Sequence, residues 1–301
     1  MTIQWFPGHM TKARRQIEEK LPLIDAVIEL LDARAPLASR NPMIDEILRG
    51  KPRLVVMNKA ELGDQQKTEQ WQHYFQTQGL PTLPIDSISG FRVKEILPRL
   101  RDLLQDKIDA QVRKGMQPRA IRALIVGIPN VGKSTLINKL AQRHVAATGD
   151  RPGITKSQQW IRIAGELELL DTPGILWPKF EDVKVGLRLA ALGSIKEEIL
   201  SVEDIGYEVL KFLQSEYPQS LPERYGLQVA TDADVEVDGD DEQDEDERLR
   251  MRTLALMEEI GRKRGCLAGG GQIDYMKTAL VVLRDLRAGK LGGVTLEVPP
   301  V

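Results

Sequence analysis

Ala123-Leu-Ile-Val-Gly127-Ile-Pro-Asn-Val-Gly-Lys-Ser134 decides the fold. Four apolar residues form a short strand, two glycines release the chain into a loop, and Thr135 to Ala141 continue as a helical pattern. The spacing G-x-x-x-x-G-K-S predicts backbone N–H groups wrapped around phosphates at a helix N-terminus. Lys133 neutralises the outer phosphates there, and the Ser134 hydroxyl is a ligand for Mg²⁺. The strand before it and the helix after it set this stretch apart from an ordinary glycine turn.

To either side, short β-rich runs alternate with helical patterns: Ala26 to Leu31, Leu54 to Met57, Thr82 to Ile85 and Glu166 to Leu170. Several runs are almost continuously apolar, as strands of a parallel sheet covered on both faces must be. Between them, Val93 to Lys107 sets Ile96, Leu97, Leu100 and Leu104 on one helical stripe. This alternation predicts an α/β domain with a mostly parallel, doubly wound sheet over residues 1–178. Beyond it, Val202 to Ser215, Leu249 to Lys263 and Tyr275 to Ala288 read as helices, so 179–301 is expected to be a small all-α domain. The acidic stretch 232–247 interrupts it as a low-complexity insert, too poor in apolar surface to order itself.

At 301 residues, 42% apolar and 29% charged, the chain is long enough for one large domain or two. Its single cysteine, Cys266, excludes an internal disulfide and a cysteine-based zinc cluster. Residues 1–10 lack a secretory core and no run of 18 apolar residues occurs, so a soluble, cytosolic protein with no membrane contact is expected. The net charge of −2 conceals an asymmetry. Residues 232–247 hold eleven acids and no base, which leaves the remainder at +9. Residues 248–290 carry ten Lys/Arg against four Asp/Glu. That excess is either a nucleic-acid footprint or a set of solvated helix faces.

Thirty-eight residues beyond Lys133, the strand Glu166 to Leu170 ends in Asp171-Thr-Pro-Gly174. A carboxylate at such a strand end holds Mg²⁺ through water, and the Gly174 N–H faces a γ-phosphate. Asn58-Lys59-Ala-Glu61 follows the strand Leu54 to Met57 and resembles the Asn-Lys-x-Asp element with which GTPases read guanine. Its carboxylate accepts from the guanine N1–H and exocyclic amine, but here it is a glutamate, one methylene longer. Asp86 and Ser87 occupy the place of the loop that buttresses the base, or cap the helix that follows. In ordinary GTPases the phosphate loop precedes the base readers; here the order is inverted. Circular permutation preserves such a site, because domain termini commonly lie close together.

With Trp5-Phe-Pro-Gly-His9, Gly127 to Thr135, Asp150 to Thr155, Asp171 to Phe180 and Gly261 to Cys266, the chain resembles the circularly permuted GTPases of the RbgA/YlqF ribosome-biogenesis family. The likeness covers nearly the whole chain, the acidic insert excepted. It implies a GTP hydrolase that binds a late large-subunit (50S) ribosomal precursor through rRNA, promotes its maturation and leaves when the particle stimulates hydrolysis. Asn130, Val131, Gly132, Lys133, Ser134 and Thr135 then hold the nucleotide. Thr155 closes on Mg²⁺ and the γ-phosphate as a switch residue, and Asn130 helps hold an activating K⁺ or merely steadies its loop. Ile175 stands where Ras-like enzymes carry the water-orienting Gln, and the family offers His9 in its place. His9 is otherwise a surface histidine or an RNA contact. Lys12, Arg14, Arg15, Arg262, Lys263, Arg264 and Lys277 are the expected RNA contacts, on a protein that is monomeric off the ribosome. The competing classes are an ATP-using P-loop enzyme and a nucleotide-sensing rRNA-binding scaffold with negligible turnover.

Overall fold

The computed structural model describes residues 7–117, 119–146, 159–174, 182–195, 201–227 and 242–300, with side chains from Arg14 in the first stretch and Glu245 in the last. Two compact units emerge: residues up to Gly186 together with the chain's end from Glu297, and Leu187–Leu296. The division thus falls eight residues beyond position 178, and the last residues return to the first unit.

The first unit is built on a six-stranded sheet of β1 (Ala26–Asp32), β2 (Arg53–Asn58), β3 (Thr82–Pro84), β4 (Ile121–Val126), β5 (Gln159–Ile163) and β6 (Leu167–Asp171). The order across the sheet is β3-β2-β1-β4-β6-β5, and every pairing is parallel except that of β5 with β6. Every residue of β1 is buried, Glu29 and Asp32 included, as a strand covered on both faces must be. β5 is the strand that the periodicity did not signal. As an edge strand it exposes Gln159, Trp160 and Arg162 and lacks a continuous apolar run. Ala164 (φ +48°) and Gly165 (φ +75°) form the tight turn that returns it to β6. Register decides where chemistry can occur. Asp32 pairs with Asn58 and Ile125 with Asp171, so strand ends gather at the edge where β4 runs into Gly127. Open α/β sheets bind ligands at that edge.

Helices α1 (Pro7–Lys20) and α2 (Ile44–Leu48) bring Ile17, Ile44 and Ile47 onto Val27, Leu124 and Leu170. Trp71 and Phe75 of α3 (Gln65–Thr77) pack on Leu31, Val55 and Met57. The helix expected over 93–107 is broken. After a 3-10 turn at Val93–Glu95, α4 (Ile96–Leu103) and α5 (Gln105–Arg113) meet at Leu104, which is non-helical at φ −107°, ψ 8°. Ile96, Leu100 and Leu104 are nevertheless buried on one stripe. α6 (Lys133–Ala141) includes the end of the phosphate-loop motif, and α7 (Val183–Ala191) spans the point in the sequence where the first unit gives way to the second.

In the second unit α8 (Val202–Glu216), α9 (Ser220–Tyr225), α10 (Glu242–Lys263) and α11 (Tyr275–Arg287) form a helical body. Gly206 lets α8 approach α11 closely: a Cβ there would lie 2.5 Å from the Ala279 methyl. The acidic insert is shorter than its composition suggests. α10 already begins at Glu242, where acids favour a helix N-terminus, while 232–241 lie outside the described residues. Among the described residues no helix is long and apolar enough to cross a membrane.

The returning chain end is a staple. The Glu297 carboxylate accepts from the backbone N–H of Leu37 and, at 3.0 Å, of Ala38, and its carbonyl accepts from Trp71 Nε1 at 3.2 Å. Glu297→Ala is expected to cost about 1–2 kcal/mol by uncapping that turn. Thermal unfolding measures the loss, and hydrogen exchange should accelerate at residues 37 and 38.

Candidate functional site

The loop after β4 depends on close approach. A Cβ on Gly127 would stand 2.6 Å from the Leu30 carbonyl, and one on Gly132, at φ +100°, would run into the Asn58 amide nitrogen. Only glycine therefore lets the loop turn into α6, whose first N–H groups have no helical partner. Lys133 is buried and folds back on the loop, donating to the carbonyls of Gly127 (2.9 Å) and Ile128 (2.8 Å). Ser134 and Thr135 follow it, half-buried.

The early motif reaches the same place. From the end of β2, Asn58 Nδ2 donates to the Val131 carbonyl at 2.8 Å, while Asn58 Oδ1 accepts from the Ser87 N–H (3.1 Å) and hydroxyl (2.7 Å). Lys59 Nζ donates to the Asn130 carbonyl and to Asp32 Oδ2, both at 2.9 Å. Residues some seventy positions apart thus share one wall, as permutation requires. Glu61 stands exposed beside them. Desolvation, with the charge of Asp86, raises its carboxyl above the ordinary value, and Arg34 opposes the rise. Asp86 turns out to hold its own loop rather than to cap the helix at Val93: its carboxylate accepts from the N–H groups of Ile88 (2.7 Å) and Ser89 (3.0 Å).

Asp171 and Gly174 complete the cradle from β6. A Cβ on Gly174 would lie 2.8 Å from the Pro129 nitrogen and 3.1 Å from Lys133 Nζ. Both carboxylate oxygens of Asp171 are buried without a hydrogen-bond partner among the described residues. Burial raises the Asp171 carboxyl, against the pull of Lys133, and burial lowers the Lys133 ammonium to about 8, against the pull of Asp171. Each charge is disfavoured until it gains a partner, so the pair is suited to a bound anion and cation. Buried carboxylate oxygens of this kind are hard donors that fit Mg²⁺.

The structure thus brings together Asn58, Lys59, Ser87, Asn130, Val131, Gly132, Lys133, Asp171 and Gly174. Thr155 and the side chains of His9 and Lys12 lie outside the described residues. The basic residues are busier than free RNA contacts would be. Arg14 bonds Glu18 and Glu46, Arg15 bonds Glu19, Arg262 bonds Glu258, Lys277 bonds Asp274, and Lys263 reaches the Gly226 carbonyl. Arg264 lies over the Tyr225 ring. Asp32 and Arg34 were not anticipated. Both are buried, with Arg34 Nε and Nη2 each 2.9 Å from the Asp32 carboxylate. Burial alone would raise that carboxyl, but Arg34 and Lys59 hold it well below the usual range. The signal was an acid one step past an apolar run that was read as ending at Leu31.

These features define a circularly permuted P-loop GTPase. Residues 122–223 match the family described as 50S ribosome-binding GTPase. The chain is 56% identical over 300 residues to Ribosome biogenesis GTPase A of Bacillus cereus, covering 99% of this chain and 95% of that one. To the Bacillus licheniformis protein of the same name it is 52% identical, with 99% of each covered. The GNP-bound structure of YlqF from T. maritima matches with a TM-score of 0.62 at 26% identity, over 96% of this chain and 98% of that one. The chain belongs to the ribosome biogenesis GTPase A family: it binds GTP and GDP, hydrolyses GTP, and takes part in ribosome biogenesis. The ATP-using alternative and the scaffold without turnover fall with this assignment.

Burial lowers the Lys133 ammonium to about 8 in the free protein, and it is the protonated form that suits a phosphate. Affinity for GDP should therefore fall about fourfold from about pH 7 to about pH 8.5. Titration with a fluorescent GDP checks this, and a flat profile would contradict the burial of Lys133.

Proposed function

We propose that the protein docks in its GTP form on a late precursor of the large ribosomal subunit, promotes its maturation and leaves once the particle has stimulated hydrolysis. The observation that carries this reading is the position of Gly174 against Pro129 and Lys133, only thirteen residues before the helical unit begins at Leu187. Loss of the γ-phosphate removes a contact from the very segment that leads into the helical unit. A two-state segment of this kind is the means by which nucleotide state biases docking.

In this account Asn58, Lys59 and Glu61 hold the guanine, with Asp86 and Ser87 bracing the loop beside it. The backbone from Asn130 to Thr135 and the Lys133 ammonium hold the phosphates. Ser134, Asp171 and Thr155 would hold Mg²⁺, which would supply charge neutralisation at the phosphates. Asn130 holds K⁺. His9 orients the attacking water once the particle has fixed the N-terminal arm, a task the aliphatic Ile175 cannot perform. Lys12, Arg14, Arg15, Arg262, Lys263, Arg264 and Lys277 meet rRNA phosphates by exchanging their present carboxylate and carbonyl partners, which makes docking salt-sensitive. The protein works as a cytoplasmic monomer between rounds.

Phosphate release measured with and without purified large subunits tests the reading. The parent should accelerate in their presence, and His9→Ala should lose about 10²-fold or more of the stimulated rate while retaining its affinity for GDP. Equal stimulated rates for both proteins would remove His9 from the mechanism. No stimulation of the parent would remove the particle.

A further inference from the structure

Lys139 belongs to none of the motifs above, yet it joins the phosphate-binding helix to the base-reading loop. Six residues along α6 from Lys133, its Nζ donates to the Ile88 carbonyl at 2.9 Å. Its stem runs past Gly90, whose φ is +92°, and a Cβ built on Gly90 would collide with Lys139 Cε. Gly90 thus supplies both a left-handed turn and the passage for the lysine.

The loop that Lys139 grips is closed on itself. Gly90 N–H donates to the Asp86 carbonyl (2.9 Å), Asp86 N–H donates to the Phe91 carbonyl (3.2 Å), and the Asp86 carboxylate holds the Ile88 and Ser89 N–H groups. A segment so cross-linked moves as one piece, and its placement depends on what ties it to its surroundings. One tie is Ser87 to Asn58, and through Asn58 to the Val131 carbonyl. Lys139 to Ile88 is another, beside the backbone bonds that hold Ile85 to Met57 and Ala60 where the loop begins. The Ser87 and Lys139 ties complete a ring that passes from the phosphate loop through Asn58, Ser87, Ile88 and Lys139 back along α6 to the phosphate loop. Lys139 is exposed, so ordering its long side chain costs rotamer entropy that one hydrogen bond barely offsets. A merely solvated lysine would not require an open glycine opposite its stem.

We infer that Lys139 is a positioning residue for guanine recognition, fixing the separation between the Asp86–Gly90 loop with its Asn58 partner and the phosphate cradle, so that base and phosphates of one nucleotide are met together. This rests on the reading that Asn58 and Glu61 face the guanine. The ring selects for the guanine end of the ligand, since the phosphate contacts of the loop and of Lys133 do not pass through Ile88.

Dissociation constants for GDP and ADP, measured on the full-length chain, test the inference. Lys139→Met should reduce the preference for GDP over ADP about fivefold, by weakening GDP and leaving ADP unchanged. Lys139→Arg should retain most of the preference. Gly90→Ala, which expels the stem, should lower it, and combining it with Lys139→Met should add little. If Lys139→Met shifts the melting temperature but keeps the ratio within about twofold of the parent, the lysine only stabilises α6 and the inference falls. Lys139→Gln, too short to reach Ile88, gives the same readout should the methionine variant fail to fold. A parent protein with no preference for GDP would overturn the guanine reading itself, a result distinct from an unchanged ratio in the variants.

Discussion

The site depends on one side-chain amide. Asn58 donates to the loop at Val131 and accepts twice from Ser87, so this buried residue, with Lys59 beside it on the Asn130 carbonyl, ties the end of β2 to the loop after β4. Buried amides left half-satisfied are costly, and all three contacts here are of normal length. Gly132 has no side chain because the Asn58 amide occupies the space that a Cβ would need. Gly132 and Asn58 are therefore one constraint expressed at two places in the sequence.

Permutation leaves that constraint intact and changes what adjoins it. Parallel pairing of β1 with both β2 and β4 places the ends of early and late strands on one edge, whichever comes first in the chain. The inverted order allows the Asp171–Gly174 segment to lead into the helical unit, while Glu297 closes the chain back onto the turn at Leu37 and Ala38. That turn directly follows Asp32 and Arg34, and Asp32 holds Lys59.

Much of this was legible in the residues. Short β-rich runs marked β1, β2, β3, β4 and β6, and those of β2 and β4 are almost continuously apolar because strands covered on both faces need little polar alternation. The phosphate-loop motif was legible because its glycines are demanded by geometry, and Lys133 and Asp171 because each stands at a fixed place beside a strand end, the lysine in the motif and the acid after an apolar run. β5 was not, since an edge strand with exposed Gln159, Trp160 and Arg162 has no apolar run to mark it. Asp32, Arg34 and Lys139 were missed for another reason. Their roles arise from partners brought together by the fold, and nothing in a local window distinguishes Asp32 from any acid after a strand.

In the proposed function Glu61 and Lys133 meet opposite ends of one guanine nucleotide. Xanthine carries a carbonyl where guanine carries its exocyclic amine, so Glu61→Gln offers the amide donor that xanthine needs and removes the carboxylate that guanine needs. Competition of GDP and XDP for the Glu61→Gln protein, with Lys133→Ala alongside, measures this directly. The account predicts a shift of about 10²-fold toward XDP for Glu61→Gln, and weakened binding of both nucleotides for Lys133→Ala. An unchanged GDP/XDP ratio in Glu61→Gln would contradict it.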